Sequence, residues 1–416
     1  MTQNKVKLAA LENTINFNDN NDVGTTFKKN NQSPIHRWYS YVEGFSWNFV
    51  RKVLENSQKS KTFTVLDPFC GSGTTNVEAA RLGIRSVGYD INPFLIFVNS
   101  VKTNFDVNLE NIESELENIK KKTKQFVPDS SLLNESKLSP LFANNDFFSE
   151  KILPKVLFLK KCLNDVENPQ IKNLLMLSAC SIIVGISNYR RGPDLAKKKV
   201  KLTDVPVFQI FFDKSQEFIT DLNGVKNTNL KKPRLFTDDS RYLDKISDET
   251  IDCVITSPPY LNGTNYFRNT KLELWFMEML HNTAQLHTYR EKAITAGIND
   301  VFKSKDIGPT ISHSAEVVEK IKKSAYDMRI PIMISVYFKD ISLCLQNLYR
   351  VMKPNSTCYW VVGDSAFSQI RVPTDDITVK ISKDIGFTHK RTDIVRTRKS
   401  RSGMSLHEAV IILQKD

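Results

Sequence analysis

The stretch TFTVLDPFCGSGTTNVEAARLG, residues 62–83, constrains this chain more than any other. Residues 62–66 are short, β-branched and apolar, which predicts a strand. A bend carrying Gly71 and Gly73 follows at once, and a helical pattern then runs to Gly83. Without a Cβ, the two glycines reach dihedrals that other residues avoid, so the bend's backbone can lie close to a ligand. Ser86-Val-Gly-Tyr predicts a second strand that ends at Asp90. Strand, helix and strand make a βαβ unit, and such a unit commits the chain to a parallel sheet.

Further strands are predicted around Arg234-Leu-Phe-Thr, at Ile251-Asp-Cys-Val-Ile-Thr and at Thr357-Cys-Tyr-Trp-Val-Val. A helix over Val336 to Met352, stopped by Lys353-Pro-Asn, precedes the last of these. HKRTDIVRTRK and LHEAVIILQK flank the turn SRSGMS and predict an antiparallel hairpin that closes the sheet. The fold class is therefore α/β, mostly parallel with a C-terminal antiparallel hairpin. Residues 1–32 read as a loose polar arm. Phe45, Phe49, Val50, Val53 and Leu54 then recur at helical spacing, with Ser46 placed to cap the start. Residues 33–93 and 231–416 carry the sheet. Residues 94–230 are helical in character and too long for a crossover, so they form an inserted helical subdomain. A second insertion occupies residues 261–330.

Lys and Arg outnumber Asp and Glu by 58 to 46, a formal charge of +12, which suits a polyanionic partner. The 6 cysteines form no C-x-x-C pair, so neither a metal site nor a disulfide framework is suggested. No apolar run approaches the roughly 20 residues that span a bilayer, and no secretory leader is evident. The cytoplasm of a prokaryote is the expected location.

Asp90 stands at a strand end about 20 residues beyond the glycine bend, where a carboxylate can accept both ribose hydroxyls of a nucleoside. Thr256-Ser257-Pro258-Pro259-Tyr260 ends another strand. Its two prolines remove two backbone donors and stiffen the edge. Carbonyl and hydroxyl acceptors are left exposed beside an aromatic ring, an arrangement that suits a planar base.

These motifs, with HRWYSYVEGFS, TDDSRYL and LHEAVIIL, resemble those of the DNA amino-methyltransferases. The resemblance implies a Rossmann-like class I methyltransferase sheet, S-adenosyl-L-methionine as cofactor and the exocyclic amine of a base as acceptor. Ser-Pro-Pro-Tyr is similar to the form usual in cytosine-N4 enzymes; the alternatives are adenine N6, an RNA amine, and a catalytically silent nucleic-acid-binding subunit. Carried over by motif, Asp67, Phe69, Gly71 and Gly73 line the methionine moiety, Asp90 holds the ribose and Asp239 faces the adenine. His36, Trp38 and Tyr39 approach the cofactor from the N-terminal side. Ser257, Pro258, Pro259 and Tyr260 form the catalytic tetrad.

An exocyclic amine is a poor nucleophile because its lone pair is delocalised into the ring. Ser257 Oγ and the Pro258 carbonyl would accept its hydrogens while Tyr260 stacks on the base. Carbon-5 methylation needs a cysteine nucleophile after a proline, and none of the cysteines follows one. A base paired in duplex DNA must be flipped out, with donors for the DNA sought among Arg190, Arg191, Lys197, Lys198, Lys199, Arg268 and the turn from Arg396 to Arg401. The second insertion is a candidate for DNA recognition. The resemblance also implies a restriction-modification system, with a cognate restriction endonuclease as functional partner.

Overall fold

The computed structural model describes residues 27–41, 44–58, 60–128, 147–192, 195–225, 230–261, 266–301, 309–400 and 403–416. Its main sheet holds strands β1 (Thr64–Asp67), β2 (Arg85–Asp90), β3 (Arg234–Thr237), β4 (Ile251–Thr256), β5 (Met352–Gly363), β6 (Thr388–Lys399) and β7 (Ser405–Lys415). They lie in the spatial order β6-β7-β5-β4-β1-β2-β3. From β3 to β5 all neighbours are parallel. Strand β7 inserts antiparallel between β5 and β6. This is the expected Rossmann-like sheet with its closing hairpin. The strand order reverses between β1 and β4, so the crevice of such a sheet opens at their carboxyl ends.

Alternation along the strands sorts side chains to two cores. Val65, Cys253, Ile255, Val361, Val410 and Ile412 pack with Phe49, Val50 and Val53 of helix α1 (Trp47–Ser57) and with Ala79 of helix α2 (Thr74–Arg81). Their neighbours Leu66, Val254, Trp360, Ile411 and Leu413 face the other way, onto the long helix Arg329–Val351. That helix starts seven residues before the sequence pattern placed it, because Ile330, Met333 and Ile334 already bury apolar surface against this core.

Two further boundaries and one cap differ from the sequence reading. Residues Phe27–Gln32, expected at the end of a loose arm, form a 3-10 turn; residues 1–26 of that arm lie outside the described residues. The turn is fastened by Asn30, whose amide donates to the Phe45 carbonyl and accepts from the Trp47 N–H. Ser46 stands at the start of α1 but its hydroxyl makes no capping bond, and the first amide of the helix, Trp47 N–H, is taken by Asn30. Helix α3 (Pro93–Lys102), counted in the insertion, is the sheet's own crossover: Asn92 caps it by accepting from the Phe94 N–H, and it packs on β2 and β3.

The helices beyond α3, Leu109–Lys124, Leu153–Asn164, Pro169–Ile183 and Val207–Gly224, share one core with α3, the N-terminal segment and residues 267–280. It grips the N-terminal segment. Asp221 accepts from the Ile35 N–H at 2.8 Å, the Trp38 indole at 3.0 Å and the Arg37 guanidinium at 2.5 Å. Trp38 stacks on Phe218 with centroids 4.4 Å apart. Among the described residues no helix is long and apolar enough to cross a membrane.

Candidate active site

Asp67 ends β1 and organises the glycine bend. Its carboxylate accepts from the Phe69 N–H at 3.1 Å, the Thr75 hydroxyl at 2.8 Å and the Thr256 hydroxyl at 2.7 Å. Burial nonetheless raises its pKa to about 6. It thus ties the bend to the end of β4 and does not itself face the cleft. Gly71 and Gly73 both have positive φ, +48° and +88°. A Cβ on Gly73 would stand 2.6 Å from the Asn99 side chain, so only glycine lets the bend seat on α3.

Asp90 ends β2 directly opposite. One carboxylate oxygen accepts the Gly71 N–H at 3.0 Å and the other the Asn92 N–H at 2.8 Å. Each oxygen keeps a lone pair free for a further donor. Withdrawal from water raises the Asp90 pKa to about 7.

These strand ends border a cleft. One wall carries Phe69, Gly71, Asp90, Asp239 and Ser257-Pro258-Pro259. Tyr41, Ile91, Asn92, Leu95 and Ser240 complete that side. A second wall is made by Phe267, Lys292, Ala293, Ile294 and Asp300, from the second insertion. Sequence reading missed this second wall, as well as Tyr41. Of the neighbouring Asp238 and Asp239, only Asp239 lines the cleft; Asp238 pairs with Lys245 at 2.7 Å on the surface.

Arg241 joins the two walls. Its guanidinium grips both Asp239 oxygens, at 3.0 and 2.6 Å, and reaches Asp340 at 2.8 Å. Asp340 in turn accepts the Thr295 N–H at 3.0 Å, and Arg241 donates to the Lys292 carbonyl at 3.3 Å. The segment that carries Lys292 to Ile294 is therefore fastened to the strand end that carries Asp239. Ser240 adds a hydroxyl bond to the Pro68 carbonyl in the bend.

His36, Trp38, Tyr39 and Tyr260, all expected at the site, lie outside the lining of the cleft, as do Asp67 and Gly73. His36 Nε2 is 2.9 Å from Glu78 Oε1 in a buried cluster with Arg51 and Arg81, and burial lowers its pKa. The Tyr39 hydroxyl donates to Glu273 at 2.9 Å and accepts from Arg191 at 2.8 Å. Both backbones are held from beneath by Lys102, buried, whose ammonium donates to the His36 and Tyr39 carbonyls and whose pKa burial lowers to about 7. A 3-10 turn at His36–Trp38 aims these rings inward, and it is Tyr41 that emerges at the cleft. Tyr260 stands beside the cleft rather than in its lining. Its ring packs on Gly363, where a Cβ would come within 3.1 Å, and its hydroxyl donates to Glu408 at 3.2 Å.

The cleft couples a carboxylate with free lone pairs to apolar walls and to a proline-stiffened edge, which suits a nucleoside beside a second planar group. All six cysteines are buried and free.

Comparison with known proteins points the same way. Residues 4–98 match the family model described as DNA methylase, of the N6 and N4 type. The chain is similar to the Type II methyltransferase M.BsoBI of Geobacillus stearothermophilus, 27% identical, over 92% of this chain and 84% of that protein. It is also similar to the Type II methyltransferase M.MvaI of Kocuria varians, 24% identical, over 90% of this chain and 86% of the relative.

Proposed function

The chain belongs to the N6/N4 DNA methylase family, and from that premise we propose that it methylates the exocyclic N4 of cytosine in duplex DNA as the modification enzyme of a restriction-modification system. The cofactor is S-adenosyl-L-methionine, which supplies an electrophilic methyl group. The cleft fits it. Gly71 brings bare backbone to the cleft, Asp90 offers the acceptors that a ribose diol needs, and Ile91, Leu95 and Ile294 offer apolar surface to a purine. Asp239, locked by Arg241, would face the purine amine, and Phe69 would border the methionine end.

Two prolines at the end of β4 cannot donate hydrogen bonds, so the acceptors beside them are not consumed by the loop itself. Ser257 Oγ and the Pro258 carbonyl would accept hydrogen bonds from the two amino hydrogens of the target base, favouring a more tetrahedral nitrogen whose lone pair is withdrawn from conjugation with the ring. Pro259 fixes the edge, and Tyr260, buttressed by Gly363 and Glu408, would bear on the base from the side. The observation that carries this reading is the convergence of Gly71, Asp90, Asp239 and Ser257-Pro258-Pro259 on a single cleft.

Purified chain, tritiated cofactor and duplex DNA test it, with the product digested to nucleosides and separated. Label in N4-methyldeoxycytidine is the expected result. Label in N6-methyldeoxyadenosine would overturn the choice of base, and label entering RNA alone would overturn the choice of polymer.

A further inference from the structure

The parallel strands stop at the rim of the cleft, but the closing hairpin does not. Gly363 ends β5 and pairs with Glu408 of β7. Beyond that point β6 and β7 pair only with each other, through Thr397 with His407, Arg398 with Leu406 and Lys399 with Ser405. At about 3.4 Å per residue these pairs carry the hairpin roughly 10 Å past the sheet's edge. They leave it at the carboxyl end of β5, the end at which Tyr260 packs on Gly363.

The overhang is aimed and anchored. The pairing between Ile394 and Arg396 slips by one residue at Val395, opposite the place where β5 gives out. A bulge there bends the strand and adds twist, so the outer pairs turn relative to the sheet. Asp364 bolts the base: its N–H donates to the His407 carbonyl at 2.8 Å, and its own carbonyl accepts from Arg398 at 3.2 Å. Arg371 and the Thr374 N–H hold the Asp364 carboxylate. At the tip, Gly403 with φ of +83° helps close the turn.

The exposed side chains beyond the bulge share one sign. Arg396 is 52% exposed and lies 3.9 Å from Glu408, too far for a close pair, while Arg398 and Lys399 are also exposed. Edge strands often carry charge simply to block pairing with other chains, and either sign serves that end. Here Asp393, the acid of β6, sits before the bulge and is paired with Arg391 at 2.9 Å. Glu408, the acid of β7 at the rim, receives the Tyr260 hydroxyl. What projects is cationic.

We infer that this overhang is a phosphate-gripping arm, in which Arg396 and Lys399 hold the sugar-phosphate backbone of duplex DNA beside the base that enters the cleft. The inference rests on the reading of DNA as substrate and says where the duplex lies: along the β5 side of the rim, across Tyr260. Contacts of this kind give affinity and register without reading sequence.

The test uses the full chain and a fluorescein-labelled duplex of random sequence, titrated over a salt series from about 50 to 200 mM. Arg396→Gln with Lys399→Gln is expected to weaken binding about tenfold at the lowest salt. It should also flatten the plot of log affinity against log salt by nearly 2, since each lost phosphate contact removes about 0.9. Cofactor affinity should stay at the wild-type value, and Arg396→Lys with Lys399→Arg should restore binding and slope. Lys61→Gln with Lys231→Gln, exposed positions before β1 and β3 at the opposite edge, should leave the slope intact. An unchanged slope in the arm variant, or an equal flattening in the opposite-edge variant, overturns the arm while wild-type methylation of duplex DNA still stands. A wild-type chain that methylates no duplex overturns both readings together.

Discussion

One wall of the cleft comes from strand ends, at Gly71, Asp90, Asp239 and Ser257 to Pro259, and the other from an insertion, at Phe267, Lys292 to Ile294 and Asp300. The first wall is made by local chemistry. A positive φ needs glycine, a donor-free edge needs proline, and a carboxylate at a strand end can hold the adjacent loop amides. The second wall has no such local signature; it is in place because Arg241 and Asp340 tie the Thr295 region to the sheet. The strand-end wall should thus carry the chemistry, and the insertion wall should depend on a buried ionic tie.

Substitutions can separate these two contributions. The largest effect is expected for Ser257→Ala, which removes an acceptor used chiefly in the transition state. Single-turnover methylation should slow by about a hundredfold or more, while cofactor affinity by calorimetry stays near wild type. Arg241→Gln attacks the other wall by leaving Asp239 and Asp340 without their cation. Breaking such a tie costs about 3 kcal/mol, so denaturant unfolding should report that loss and cofactor affinity should fall with it. Full stability in this variant would mean that the walls are not fastened as described.

Asp90→Ala removes charged hydrogen bonds worth about 1.5 to 3 kcal/mol, so cofactor affinity should drop roughly ten- to a hundredfold with the fold retained. The smallest expected effect is a pH dependence. Burial raises Asp90 to about 7, so the free protein holds a proton there below that pH. Only the anion keeps a lone pair on each oxygen open to a ribose diol, so affinity should rise by up to about tenfold from pH 6 to 8. That rise should vanish in Asp90→Ala. The same shift predicts the opposite trend for stability. A carboxyl whose pKa is higher in the folded chain binds more protons there than in the unfolded one, so its contribution declines from about pH 4 through 7.

The strand-end wall was legible in the sequence for the reason that made it local: residues 62–90 and 251–260 each combine an apolar strand with a bend whose residue types have few other uses. The C-terminal hairpin was legible for the same reason. His36 and Tyr39 were not, since their partners Glu78 and Glu273 lie 42 and 234 residues away. No spacing rule could show that a 3-10 turn sends those rings into the core and leaves Tyr41 at the cleft. Asp67 is an intermediate case. Its place beside the bend was readable, but its bonds to Thr75 and Thr256 depend on β1 and β4 being neighbours. The insertion wall was beyond sequence reading, because the Arg241–Asp340 tie spans 99 residues and crosses two elements.

Amide hydrogen exchange of the full chain with and without S-adenosyl-L-methionine tests the central claim most directly. Added cofactor should slow exchange in residues 67–73, 90–95 and 239–241, with weaker protection at 292–295. Protection confined instead to residues 100–107 and 170–174, which line a separate polar hollow beside α3, would contradict the account.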